Sequence, residues 1–122
     1  MIRGVHTMFY TSKVKELREF LRDKLGFPAH DAGEGWLLFD MPEADMGCHP
    51  TDHPGSPPSG THAISFYCDD VHTTVADLKA KGVEFVGDIE DYGYGLVTRF
   101  KVPGDFTIEL YEPKYAKGKS AH

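Results

Sequence analysis

Three residues of metal-ligating type occupy strand-like stretches where apolar side chains would be ordinary. They are His6 in Val5-His6-Thr7-Met8-Phe9-Tyr10, His62 in Thr61-His62-Ala63-Ile64-Ser65-Phe66-Tyr67, and Glu109 in Phe106-Thr107-Ile108-Glu109-Leu110-Tyr111. Taken singly, a strand histidine is more often a hydrogen-bonded packing residue, and a strand glutamate a solvated one. Taken together, two neutral imidazoles and a carboxylate facing one cavity make the set that holds a divalent metal while leaving coordination positions open. A metal held in this way can bind two oxygens of a substrate and stabilise the negative charge that develops on them.

Elements that would position these residues recur in two halves. Residues 4–10 are rich in β-branched and aromatic side chains and read as a strand. Ser12 is placed as the N-cap of a helix carrying Val14, Leu17, Leu21 and Leu25 on one face, closed by Gly26. Short strands are expected near residues 27–30, 36–40 and 44–49. The run Pro50-Thr51-Asp52-His53-Pro54-Gly55-Ser56-Pro57-Pro58-Ser59-Gly60 reads as a linker, because proline is excluded from helix interiors and central strands.

The order then starts again. A strand over residues 62–67 leads to an acidic N-cap at Asp69 or Asp70 and a helix with Val71, Val75 and Leu78 inward, ended by Gly82. Strands follow near residues 83–86, 95–102 and 106–111, with Pro103-Gly104 as a turn. Gly26 follows His6 at the same interval as Gly82 follows His62, as duplication of one supersecondary unit would give. The expected fold class is α+β: two βαβββ modules forming a cupped, incomplete-barrel mixed sheet with helices on the convex face. The single domain divides into module 1 at about 1–49, linker 50–60, module 2 at about 61–113 and a basic tail at 114–122.

Composition narrows the partners. The chain has 122 residues with a formal net charge of -6, and its scattered lysines and arginines leave no electrostatic footprint for nucleic acid or an anionic membrane. Neither an apolar signal segment nor a long apolar run is present, so a reducing cytoplasm is expected. Cys48 and Cys68 lack CxxC spacing and read as free thiols. Alternation along the last strand puts Glu109 with Thr107 and Tyr111, opposite Phe106, Ile108 and Leu110. The apolar set would pack under the helices, leaving Glu109 to face the concave side, where a pocket could form.

These elements resemble the vicinal oxygen chelate superfamily, which includes glyoxalases, extradiol dioxygenases and bleomycin-binding proteins. The resemblance runs from His6 through Glu112 and is carried by the histidine-led first strand with its helix and Gly26-Phe27, by the echo from His62 to Gly82, and by the ending from Gly95 to Leu110. It implies that His6, His62 and Glu109 are the metal ligands. The fourth ligand position falls on Met46, so a fourth ligand would have to come from Asp45 or His49. Where relatives carry Asp-Pro-Asp-Gly-Asn before the last strand, this chain reads Lys101-Val102-Pro103-Gly104-Asp105, keeping the Pro-Gly turn.

Two functions are open at this point. The first is a metalloenzyme, a lyase, isomerase or extradiol-type dioxygenase, using Fe, Mn, Ni, Co or Zn to chelate vicinal oxygens of a small molecule. Tyr10, Trp36, Arg99 and Tyr111 would contact the substrate, and Tyr10, Tyr67, Tyr111 or His49 would serve as acid or base. The second is a non-catalytic binding protein of the bleomycin-resistance type, in which Trp36, Tyr92 and Tyr94 would suit a cationic planar ligand. A homodimer is expected in either case from the resemblance.

Overall fold

The computed structural model describes residues 6–41, 43–44, 51–52, 54–59 and 61–114. Helix α1 (Val14–Glu19) runs directly into a π-helical turn (Phe20–Lys24). A hairpin follows, made of β1 (Ala29–Asp31) and β2 (Leu37–Phe39). The second half contains β3 (Ser65–Tyr67), α2 (Val71–Ala80), β4 (Phe85–Asp91), β5 (Gly95–Val102) and β6 (Phe106–Pro113). The architecture is α+β, with an open sheet ordered β3-β6-β5-β4 and a separate two-stranded sheet. In the larger sheet β3 runs parallel to β6, and the other neighbours are antiparallel.

The first helix shows why local signals mislead at its ends. Lys13, not Ser12, occupies the N-cap position and makes no side-chain cap. The hydroxyl that meets this end belongs to Thr11, which accepts from Lys13 N at 3.1 Å and donates to Pro103 O at 3.1 Å. The entry to the helix is thus fixed by a tertiary contact. Val14 stands in the first turn, beyond the stripe of Leu17, Phe20 and Leu21, and is exposed. The π-helical turn is visible in the bond from Leu25 N to Phe20 O at 3.2 Å. Gly26 and Gly82, with φ of 74° and 87°, follow the two helical segments in the left-handed region where glycine is at ease.

Helix α2 begins as its sequence dictates. Asp70 caps it by accepting from Thr73 N at 3.1 Å, and Glu112 reaches across from β6 to accept from Val71 N at 3.0 Å. Both helical segments bury their apolar stripes on one face of the four-stranded sheet. That core joins Leu17, Phe20, Leu21, Val71, Leu78 and Val83 to Phe100, Val102, Ile108 and Leu110. Phe20 and Phe100 are stacked with centroids 6.2 Å apart.

Several expected boundaries move. Residues 6–10 form no strand ladder, and in the second half the ladder opens only at Ser65 rather than at His62. Strand β4 starts later than expected and runs to Asp91, with a register irregularity between Val86 and Glu90. The expected strand at 44–49 lies almost wholly outside the described residues, as do Asp45, Met46, Cys48, His49 and the tail beyond Lys114. The described part of the linker carries neither helix nor strand. No helix among the described residues is long and apolar enough to cross a membrane.

Candidate functional site

The register of the sheet assembles the candidate site. Glu109 of β6 pairs with Arg99 of β5 on one side and with Ser65 of β3 on the other. Side chains alternate along each strand, so the burial of Phe100, Ile108 and Leu110 under the helices turns Arg99 and Glu109 to the opposite, open face. Arg99 Nη2 lies 3.9 Å from Glu109 Oε2, with the two side chains 45% and 24% exposed.

Tyr94, from the hairpin between β4 and β5, donates to Glu109 Oε1 at 2.9 Å. Partial burial first, then this bond to a carboxylate, pushes the Tyr94 phenol up to about 12. The hairpin is held in place by Gly93 N donating to Asp91 Oδ1 at 2.9 Å, by the Lys114–Asp91 ion pair, and by Lys114 N donating to Tyr94 O at 2.9 Å. Arg99 is kept protonated above its ordinary range, first by its hydrogen bond with Tyr92 and then by the charges of Glu109 and Glu90. Tyrosine rings extend the same region: Tyr94 meets Tyr111 edge-on at 5.7 Å, Tyr111 lies 6.2 Å from Tyr67, and Tyr92 lies 6.5 Å from Tyr94.

A pocket of about 390 Å³ adjoins the Arg99–Glu109 pair. Met8, Phe9, Ile64, Phe106 and Ile108 give it apolar walls, and Tyr10, His62, Ser65 and Thr107 complete the lining. Phe9 is anchored by rings on both sides, Phe66 at 6.4 Å and Phe106 at 6.0 Å, while Met8 and Tyr10 beside it stay exposed. Of the residues expected to contact a small molecule, Tyr10 and Arg99 line this pocket. Tyr111 is buried beside it, under Tyr94 and Tyr67. Trp36 is elsewhere, just ahead of β2, half-exposed with the Arg18 guanidinium 4.7 Å from its ring centroid.

The expected metal set divides. His62 and Glu109 line the same pocket, whereas His6 is exposed and outside the lining. No three His, Cys, Asp or Glu residues among the described ones gather as a group able to hold a metal ion. Glu109 moreover already accepts from Tyr94 and faces Arg99. Within one chain the described donors therefore do not fit a three-ligand centre. Cys68 is a free, half-buried thiol whose pKa is raised, chiefly by burial.

The parts missed by sequence reasoning are the walls from Met8, Phe9, Ile64 and Phe106, and the hydrogen bond from Tyr94 to Glu109. The hairpin signal Asp91-Tyr92-Gly93-Tyr94-Gly95 was legible. Nothing in it says where its tyrosines land.

A family model, that of the Glyoxalase/Bleomycin resistance protein/Dioxygenase superfamily, matches residues 3–110. The chain belongs to this superfamily. A crystal structure of TnmS3, an antibiotic binding protein from Streptomyces sp. CB03234, superposes with a TM-score of 0.62 at 22% identity, covering 93% of this chain and 99% of that one. Lactoylglutathione lyase from Agrobacterium tumefaciens gives a TM-score of 0.56 at 18% identity, over 86% and 89% of the two chains. A protein from the mobile metagenome of V. Pseudocholerae gives 0.54 at 16% identity, over 91% and 97%. Comparison with curated proteins by sequence finds no match. At these identities the structural likeness speaks to fold, and the glyoxalase superfamily houses both enzymes and binding proteins on it.

Proposed function

We propose that this glyoxalase-superfamily protein binds a small organic molecule at the pocket beside Arg99 and Glu109 without transforming it. The observation carrying this reading is the state of Glu109. Its carboxylate accepts from Tyr94 through Oε1 and faces Arg99 across 3.9 Å through Oε2, beside a pocket of mixed polar and apolar lining, an arrangement suited to orienting a ligand by hydrogen bonds. The similarity to TnmS3, described as an antibiotic binding protein, agrees with it.

Calorimetric titration of the full chain with a panel of antibiotics, planar aromatic compounds and bleomycin among them, tests the proposal, with each ligand recovered afterwards and analysed by mass spectrometry. The expected result is saturable binding of at least one compound, returned unchanged. Failure of every compound to bind, or chemical conversion of the one that binds, overturns it.

The second reading is a metal-dependent lyase, isomerase or dioxygenase, favoured by the placement of His62 and Glu109 on one pocket. His6 would then have to come from a second copy of the chain in a homodimer. Metal analysis of protein purified without chelators separates the readings. One bound Fe, Mn, Ni, Co or Zn ion per site, lost in His62→Ala and in Glu109→Ala, supports the enzyme, whereas a metal-free protein whose melting point ignores chelator supports the binder. Light scattering that shows a monomer removes the shared site.

A further inference from the structure

The gap between Arg99 and Glu109 specifies a chemical group. The 3.9 Å from Nη2 to Oε2 exceeds a hydrogen bond, yet one oxygen between them can lie about 2.8 Å from each. Glu109 Oε1 is already occupied by the Tyr94 hydroxyl at 2.9 Å, so the carboxylate is held from one side and offers Oε2 on the other. Both Arg99 and Glu109 line the pocket, and Met8, Phe9, Ile64 and Phe106 stand ready to enclose an apolar body.

A guanidinium only donates and an ionised carboxylate only accepts. A ligand atom that satisfies both must accept one hydrogen bond and donate another, which is the property of a hydroxyl. An ammonium would satisfy Glu109 while facing the charge of Arg99. An ether oxygen could accept from Arg99 but would leave Oε2 without a donor and, in a partly enclosed site, displace the water that would otherwise bridge the pair.

We infer that Arg99 and Glu109 form a hydroxyl clamp, and that the pocket selects neutral apolar molecules bearing a phenol or alcohol over their cationic or O-alkylated analogues. This rests on the ligand-binding reading above. It also departs from the cationic planar ligand expected for a binding protein of the bleomycin-resistance type, because Arg99 balances Glu109 where the ligand sits. Tyr94 is a positioning residue for the clamp, since it fixes the Glu109 rotamer from the side away from Arg99.

The test is calorimetric titration of the full chain with three probes sharing one ring system: β-naphthol, its methyl ether and β-naphthylmethylammonium. The naphthol is expected to bind about tenfold more tightly than the ether, as hydrogen bonds to charged groups warrant, and more tightly than the ammonium. Glu109→Met should bring the naphthol-to-ether ratio toward one, whereas Arg99→Met should weaken both oxygen ligands and leave the naphthol ahead, each variant being checked for folding by circular dichroism. Arg99→Met should in addition tighten binding of the ammonium relative to the wild-type protein, because the like charge facing it is gone. Equal binding of naphthol and ether, preference for the ammonium, or a ratio that survives Glu109→Met overturns the clamp while leaving a ligand pocket standing. If none of the three binds while an antibiotic of the panel does, the clamp is likewise refuted; if nothing binds at all, the ligand-binding reading falls with it.

Discussion

Tyr94 and Glu109, on neighbouring segments of the sheet, are joined by a 2.9 Å hydrogen bond from the phenol to Oε1, and this bond sets the orientation of the carboxylate next to Arg99. Neither partner is fully enclosed. The bond persists because the hairpin carrying Tyr94 is tied down separately, through Asp91, Gly93 and Lys114. A polar contact on an open face thereby gains the rigidity of the strands beneath it.

The first prediction concerns alkaline pH. Folding raises the Tyr94 phenol from its ordinary value near 10 to about 12, so the folded state holds this proton more tightly than the unfolded chain does. The resulting stabilisation is complete below pH 10 and is lost as pH rises toward 12. Because the ring is substantially exposed, solvent screening reduces it to roughly 1 kcal/mol or less. Ultraviolet titration at the phenolate band should show a tyrosine ionising later than the bulk, and Tyr94→Phe should remove that phase together with its share of the alkaline loss of stability.

Phe100 is the second. It is 1% exposed, stacks on Phe20 and packs against Phe85 at 5.8 Å, so it joins the helical layer to the sheet. Phe100→Ala should cost about 3–5 kcal/mol in urea denaturation, the range for deleting a fully buried aromatic ring. A loss below 1 kcal/mol would contradict the placement of the core.

Gly104 gives the third. A Cβ there would lie 1.9 Å from Thr11 Oγ1, at a backbone φ of 104° that side chains resist. Gly104→Ala should destabilise by about 1–3 kcal/mol through strain and through loss of the Thr11–Pro103 bond. Combining it with Thr11→Ala removes the clash but not the dihedral strain, so the double variant should lose less than the two single losses together. Strict additivity in thermal melts would show that the two residues do not touch.

The fourth is the cap of α2. Asp70→Ala removes the acceptor for Thr73 N and should lower the melting temperature. The bonds from Thr73 hold the Asp70 carboxyl below its ordinary range, so its contribution is present at neutral pH and lost as pH falls through the carboxylate region. The wild-type protein and Asp70→Ala should therefore converge in melting temperature on acidification.

Much of this was readable from residue order. Periodicity placed α2, β5 and β6 closely, because each is long and its apolar residues recur at an unambiguous interval. Alternation in 106–111 puts Glu109 opposite Phe106, Ile108 and Leu110, and the core composition agrees. The helix-ending glycines were legible for the same local reason, since a left-handed residue after a helix is a property of a few adjacent dihedrals.

What residue types by themselves determined, then, was the superfamily, the α+β class and the face of the last strand that Glu109 takes. Which of those side chains meet was decided only by tertiary structure. His6, His62 and Glu109 carry the same ligating chemistry in the sequence, yet among the described residues only the latter two come to one pocket, and a tyrosine and an arginine claim the carboxylate. The reason is physical. Strand periodicity is local and fixes the face a residue takes, but the distance between two faces, the tilt of a hairpin over a sheet and the competition for one acceptor depend on how distant segments pack, and no pattern of neighbouring residues encodes that.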